Sequence, residues 1–234
     1  MHRVFPSYND KMIFAISLLF VTVFIFLNHG SKSSYADKLT PIYNLSNTPP
    51  GMSYGELMTK YWDWWINLSK KQASECPIKV TDTVVFLADA LKSHRELTCT
   101  YNLDEGKALF FPLIVAESDK GVEGYEQYSD EQLINASVQE NEGGAFTLII
   151  DGKEIPKEDI EKLKTTSPFW NLSILPGNQY QTENGTFRAV TEGIYVLVKP
   201  LSQGSHVISY DASSTKNDPP TNIRGKLTYN LSVK

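Results

Sequence analysis

Basic charge is scarce in this sequence. Against 27 Asp and Glu stand 22 Lys and Arg, for a net charge of −5. The imbalance grows if residues 1–36 are removed, because Arg3, Lys11 and Lys32 leave with only Asp10. No basic face is on offer, which argues against a nucleic-acid partner. Histidine is scarce too, four in 234 residues, and only His94 and His206 lie beyond the N-terminal segment. Two imidazoles cannot build a three-His zinc centre, and no HExxH or H-x-E…C-x-x-C spacing occurs. There is no G-x-S-x-G elbow, so a Ser–His–Asp site through His94 or His206 would have to be assembled by the fold. His206 sits within a strand after a turn and reads as a structural, hydrogen-bonded residue. Cysteine is limited to Cys76 and Cys99. An even pair in an exported chain is expected as a disulfide, which removes both sulfurs as nucleophiles.

Long apolar runs are limited to one, Met12 to Leu27, with Arg3 and Lys11 before it. A positive flank and an uncharged run engage the export machinery. As a helix the run is only about 24 Å long, shorter than a ~30 Å hydrocarbon core. Ser34 and Ala36 occupy the small-residue positions of a signal-peptidase site. Two readings stand: residues 1–36 as a signal peptide cleaved after Ala36, or as an uncleaved N-terminal membrane anchor. Both place the rest of the chain outside the cytoplasm, with membrane contact only through residues 12–27. Residues 37–52 (DKLTPIYNLSNTPPGM) read as a polar linker, and 53–234 as a single domain. N-x-S/T sequons at Asn44, Asn67, Asn135, Asn171, Asn184 and Asn230 are candidate N-glycosylation sites in an exported chain.

Aromatic side chains are plentiful, and three of the four Trp fall in "SYGELMTKYWDWWINLSKK", residues 53–71. Ser53 and Glu56 form a capping box, and Lys70 and Lys71 suit the far end of the helix dipole. At helical spacing Leu57, Met58, Tyr61, Trp64, Trp65 and Leu68 share one side, so Trp64 and Trp65 are expected as core. Trp62 lies at the border and is expected to be partly exposed. Asp63 and Asn67 fall on the wet face, where a glycan at Asn67 would fit.

The remainder reads mostly as strand: 83–91, 95–103, 107–118, 169–175, 185–190, 193–201, 204–211 and 223–233, rich in β-branched and apolar residues. The nearly continuous apolar run 107–118 suggests a central strand, with a bulge at Pro112. Asp151–Gly152 suits a tight hairpin turn, and Pro200 to Gly204 is expected to turn another. Short helices are expected at 130–140, behind Ser129 and Gln132, and at 156–164. The expected fold is therefore mainly β: an antiparallel β-sandwich, jelly-roll or immunoglobulin-like, with an N-terminal amphipathic Trp-rich helix and two short helices.

The order of these motifs carries a resemblance. The Trp-rich helix, Cys76, "VVFL", "CTYNLDEGKALFFPLI", "IIDGKEI", "SPFWNLSIL" and "GIYVLVKPLSQGSHVISY" resemble a family of exported bacterial and archaeal proteins of unassigned role. Members show a "WWQW"-like helix, a "GKALFFP" strand and a "YWLLLxPLxxGxHxI" hairpin. The match spans about residues 53–233, with Gly106 to Pro112 its most specific piece. "WDWW" and "IYVLVKPL" depart slightly from the pattern, while His206 keeps the hairpin's histidine. The resemblance implies an exported domain and supplies no catalytic residue.

Acidic residues cluster in "ESDKGVEGYEQYSDE", residues 117–131, which reads as a solvated loop. Its alternatives are a Ca²⁺ site through Glu117 and Asp119, without the spacing of an EF-hand, or a glycosidase acid/base pair. Ca²⁺ is the only cofactor that the sequence suggests. Together these features point to an exported or cell-surface binding module for an extracellular ligand or protein. The alternative is an extracellular hydrolase acting on glycans or esters through a carboxylate site.

Overall fold

The computed structural model describes residues 40–49, 51–89, 96–217 and 220–234. The apolar run 12–27, the Ser34/Ala36 site and His94 lie outside them. Among the described residues no helix is long and apolar enough to cross a membrane.

The chain is mainly β. Helix α1 (Tyr54–Trp65) leads into a single turn, α2 (Lys70–Ala73). Strands β1 (Ile78–Val80), β2 (Val84–Leu87), β3 (Glu96–Leu103) and β4 (Ala108–Asp119) follow. After α3 (Asp130–Glu140) come β5 (Ala145–Ile150), β6 (Lys153–Glu154) and α4 (Lys157–Glu161). The chain ends with β7 (Lys164–Thr166), β8 (Trp170–Ile174), β9 (Gly185–Val198), β10 (Gly204–Asn217) and β11 (Pro220–Val233).

The strands form two sheets. One runs β1-β2-β4-β9-β7, with β8 also on β9; the other runs β3-β11-β10-β5-β6. Both are mixed, which corrects the all-antiparallel expectation: β2 pairs β4 in parallel, and β3 pairs β11 in parallel. Parallel neighbours need a crossover, which local turn signals cannot announce. The Pro200–Gly204 hairpin is corrected for the same reason, since β9 and β10 lie in different sheets. The segment between them turns from one sheet to the other.

The strand β4 explains its own apolar run. Leu109, Phe111 and Leu113 join a core cluster with Tyr101, Tyr210 and Tyr229 of the second sheet. Ala108 and Phe110 face the opposite way, onto α1 with Phe86, Tyr195 and Leu197. A strand buried on both faces has no polar alternation to show. The register shifts between Pro112 and Ile114, where the bulge was expected. The Asp151–Gly152 turn forms as well, with φ of 50° and 76°.

Three other expectations change. Helix α1 stops at Trp65, and Lys70 and Lys71 belong to α2, which Ser69 and Gln72 cap separately. Residues 41–49, expected within a linker, are part of the fold: Ile42 is buried and bridges to Val198, and Tyr43 N–H donates to Leu197 O at 2.8 Å. The strands expected at 185–190 and 193–201 are one, β9, running through Thr191–Glu192–Gly193. The expected disulfide is present, joining Cys76, just after α2, to Cys99 in β3. Closing that loop contributes on the order of 3 kcal/mol. It also fits an oxidising compartment.

Candidate functional site

The aromatic stripe of α1 is an underside. Tyr61 is fully buried, stacked on Trp65 at 6.0 Å between centroids and edge-on to Phe86, Phe110 and Tyr195. Trp65 is buried and donates its indole N–H to Tyr180 Oη at 3.0 Å. The border expectation for Trp62 is overturned. Its ring is 3 % exposed, and its N–H faces Tyr195 Oη at 2.6 Å and Thr191 Oγ1 at 3.0 Å. Trp64, expected as core, is the half-buried ring, stacked on Phe86. Tyr54 is buried on the first turn and donates to Tyr195 O at 2.6 Å, which draws the buried stripe towards Trp62 and away from Trp64. These rings hold α1 to the sheet and offer no open stacking platform.

The wet face of α1 is not free either. Asp63 accepts the Trp170 indole N–H at 3.0 Å, and partial burial raises its carboxyl pKa. Asn67 Nδ2 donates to Asp63 O at 2.9 Å and to Ser173 O at 2.8 Å, while its Oδ1 accepts from Leu175 N–H at 2.7 Å. The nitrogen that would carry a glycan is thus committed to tying α1 to β8. This corrects the reading of Asn67 as a fitting glycan position. Asn135, Asn171 and Asn184 are exposed, whereas Asn44 and Asn230 are half-buried.

The acidic stretch 117–131 does not converge. Arg188 donates to both oxygens of Asp130, at 2.7 and 2.6 Å, and stacks on Phe169. Glu126 accepts from Gly124 N–H in its own turn. Asp119 is not solvated: it is 3 % exposed, and burial raises its pKa. Its Oδ1 accepts from Gly121 N–H at 2.5 Å, and its carboxyl is hydrogen-bonded to Glu117. Among the described residues no group of three or more His, Cys, Asp or Glu could hold a metal ion.

His206 is 13 % exposed at its side chain and hydrogen-bonds on both sides. Nδ1 lies 2.7 Å from Asp151 Oδ2, and Nε2 lies 2.9 Å from Ser202 O. Both partners only accept, so the imidazolium, with two N–H donors, satisfies both. The hydrogen bond to Asp151 raises the pKa above its usual value near 6.5. A raised folded-state pKa means that the stabilisation is complete below the unfolded pKa and is lost as pH rises through the folded one. The melting-temperature gap between wild type and His206→Gln should therefore be wider at about pH 5.5 than at about pH 8.5. A gap independent of pH would show that the imidazole stays neutral.

The concave site lies elsewhere, where the loop after α3 meets β5, β7 and β9. A cavity of about 440 Å³ opens there. Ile114, Phe146 and Ile194 give it an apolar wall, and Asn141, Glu142, Glu161 and Lys164 a polar one. Gly143, Gly144 and Gly193 complete it with backbone. Two of its charges are paired nearby, Lys164 with Glu192 at 3.4 Å and Glu161 with Lys157 at 3.5 Å. The volume and the mixture suit a small-molecule pocket or a peptide side-chain slot. None of these residues stood out in the sequence, because six separate segments supply them at no recurring spacing. The one available signal was Thr191–Glu192–Gly193, a polar interruption between apolar arms.

Comparison with known proteins adds little. No family model matches the chain, and no curated protein does. Among solved structures, the chain is similar to PbICP-C in its complex with falcipain-2, at 15 % identity and a TM-score of 0.25, over 65 % of this chain and 99 % of that one. It is also similar to amebosin, at 10 % identity and a TM-score of 0.21, over 59 % and 96 % of the two chains. Likenesses this weak carry no inference about fold or function.

Proposed function

We propose that the chain is an exported β-sandwich module that binds an extracellular ligand in the cavity between the α3 loop, β5, β7 and β9. The cavity is the observation that carries this reading. The two sheets support the sandwich by sharing one core cluster, as packed layers do. Export is supported by the apolar run 12–27, by the disulfide and by the resemblance over residues 53–233. The ligand combines an apolar part, to pack on Ile114, Phe146 and Ile194, with a polar end for the Glu142 side of the wall.

Thermal shift of the oxidised protein against a library of glycans, peptides, small molecules and metals tests this. A ligand at 100 times its Kd stabilises by about 2.7 kcal/mol, which several degrees of melting temperature would report. Phe146→Ala, which removes part of the apolar wall, should abolish the shift of any true cavity ligand. A shift that persists in Phe146→Ala would move the binding site off this cavity. Product formation from a glycan or ester panel would instead establish the hydrolase.

A further inference from the structure

Glu192 connects two nitrogen groups beside the cavity. It is 3 % exposed in mid-strand β9, and its two carboxylate oxygens face different partners. Oε2 accepts from Asn141 Nδ2 at 2.7 Å, and Oε1 stands 3.4 Å from Lys164 Nζ. The same amide nitrogen also donates to Glu192 O at 2.7 Å, which fixes the carboxamide in one orientation. Lys164 reaches Glu192 from the paired strand. The register sets Lys164 against Ile194 and Thr166 against Glu192, so Lys164 and Glu192 are diagonal neighbours. One buried carboxylate therefore contacts both the Lys164 amine and the Asn141 carboxamide nitrogen.

We propose that Asn141 and Lys164 are a site of self-catalysed crosslinking, in which Lys164 Nζ bonds to Asn141 Cγ with Glu192 as the proton carrier. The step starts from the Lys164 ammonium. It passes one proton to the facing carboxylate of Glu192, whose Oε1 stands 3.4 Å from Nζ. The freed lone pair attacks Asn141 Cγ, and the new N–C bond forms while the C=O π bond opens. Glu192 returns its proton to Nδ2, and the second proton on the attacking nitrogen follows by the same carboxylate. The C–Nδ2 bond breaks as the C=O re-forms. The products are a secondary amide and one ammonium ion, which carries off the charge that the lysine brought. No oxidant, metal or cofactor enters the balance. Holding the three groups in place supplies the rate. The bond would join Asn141, the residue that caps the C-terminus of α3, to the edge strand β7, and so fasten the loop that forms one wall of the cavity.

The full-length chain, purified folded and mapped by mass spectrometry after proteolysis, decides the matter without any ligand. Its outcome is thus separate from that of the binding test. The expected wild-type result is a loss of mass equal to one ammonia and a branched peptide joining the segments around 141 and 164. Lys164→Arg keeps the charge opposite Glu192 but should retain the full mass and give linear peptides. Glu192→Gln should do the same, with circular dichroism showing that it folds. Linear wild-type peptides with intact Asn141 and Lys164, from folded protein, would overturn the proposal. Conversion of Asn141 to Asp without a branched peptide would overturn it too, since that loss of ammonia takes up water and links nothing.

Discussion

Trp65→Ala is expected to cost about 3–5 kcal/mol, as truncation of a large buried aromatic does. The ring is enclosed between Tyr61 and Trp64, and its N–H is bonded to Tyr180 Oη. The variant loses apolar burial, leaves a cavity under α1 and removes the donor to Tyr180. For a domain of this size the melting temperature should fall by about 10 °C or more. Trp64→Ala should cost distinctly less, because its ring is half-buried at the edge of the same cluster. Trp62→Phe separates packing from polarity: most of the ring volume stays, while Thr191 and Tyr195 lose a shared donor, at about 1–3 kcal/mol. Equal losses at positions 64 and 65 would mean that the helix packs in another rotation. A Trp65→Ala protein that melts within a few degrees of wild type would mean that α1 is not seated on the sheet at all.

That rotation shows where reading the sequence succeeded and where it failed. The start of α1 was legible because cap chemistry is local: Ser53 and Glu56 satisfy each other's backbone groups whatever the rest of the chain does. Ser129 with Gln132 announced α3 for the same reason. Which side faces inward depends on what lies beneath. The Trp62 N–H found a polar pair in Thr191 and Tyr195, more than a hundred residues away, and that partner made burial of its ring tolerable. Strand pairing divides along the same line. The β5–β6 turn was legible in Asp151–Gly152, whereas the parallel partners of β2 and β3, and the separation of β9 from β10, depend on crossovers that no dipeptide encodes. The site was harder still. The acidic run drew the eye, but Asp130 belongs to Arg188 and Asp119 to its own turn. Asn141, Lys164 and Glu192 meet only because α3 and β7 both pack on β9.

Gly193→Ala is expected to be among the most damaging single substitutions, in the class above about 4 kcal/mol that requires a named steric cause. Gly193 is paired with Val115 across β4 and β9, at φ of 142°, which L side chains rarely adopt. An alanine Cβ would lie 2.2 Å from Ile114 O and 2.7 Å from Val115 Cα. Both are backbone atoms, so no rotamer change relieves the overlap, and β4 and β9 must part at the centre of the first sheet. The same displacement pulls Glu192 from Asn141 and deforms the cavity wall. Against a total stability of about 5–15 kcal/mol, most of the chain should fail to fold or should melt far below wild type. Gly106→Ala is the control. Its φ is 85°, but nothing lies within 4 Å of the added methyl, so backbone strain alone remains, at about 1–2 kcal/mol. Urea unfolding compares the two through their midpoints. A Gly193→Ala midpoint no lower than that of Gly106→Ala would show that the two strands do not approach this closely, and the Asn141–Glu192–Lys164 arrangement would lose its support with them.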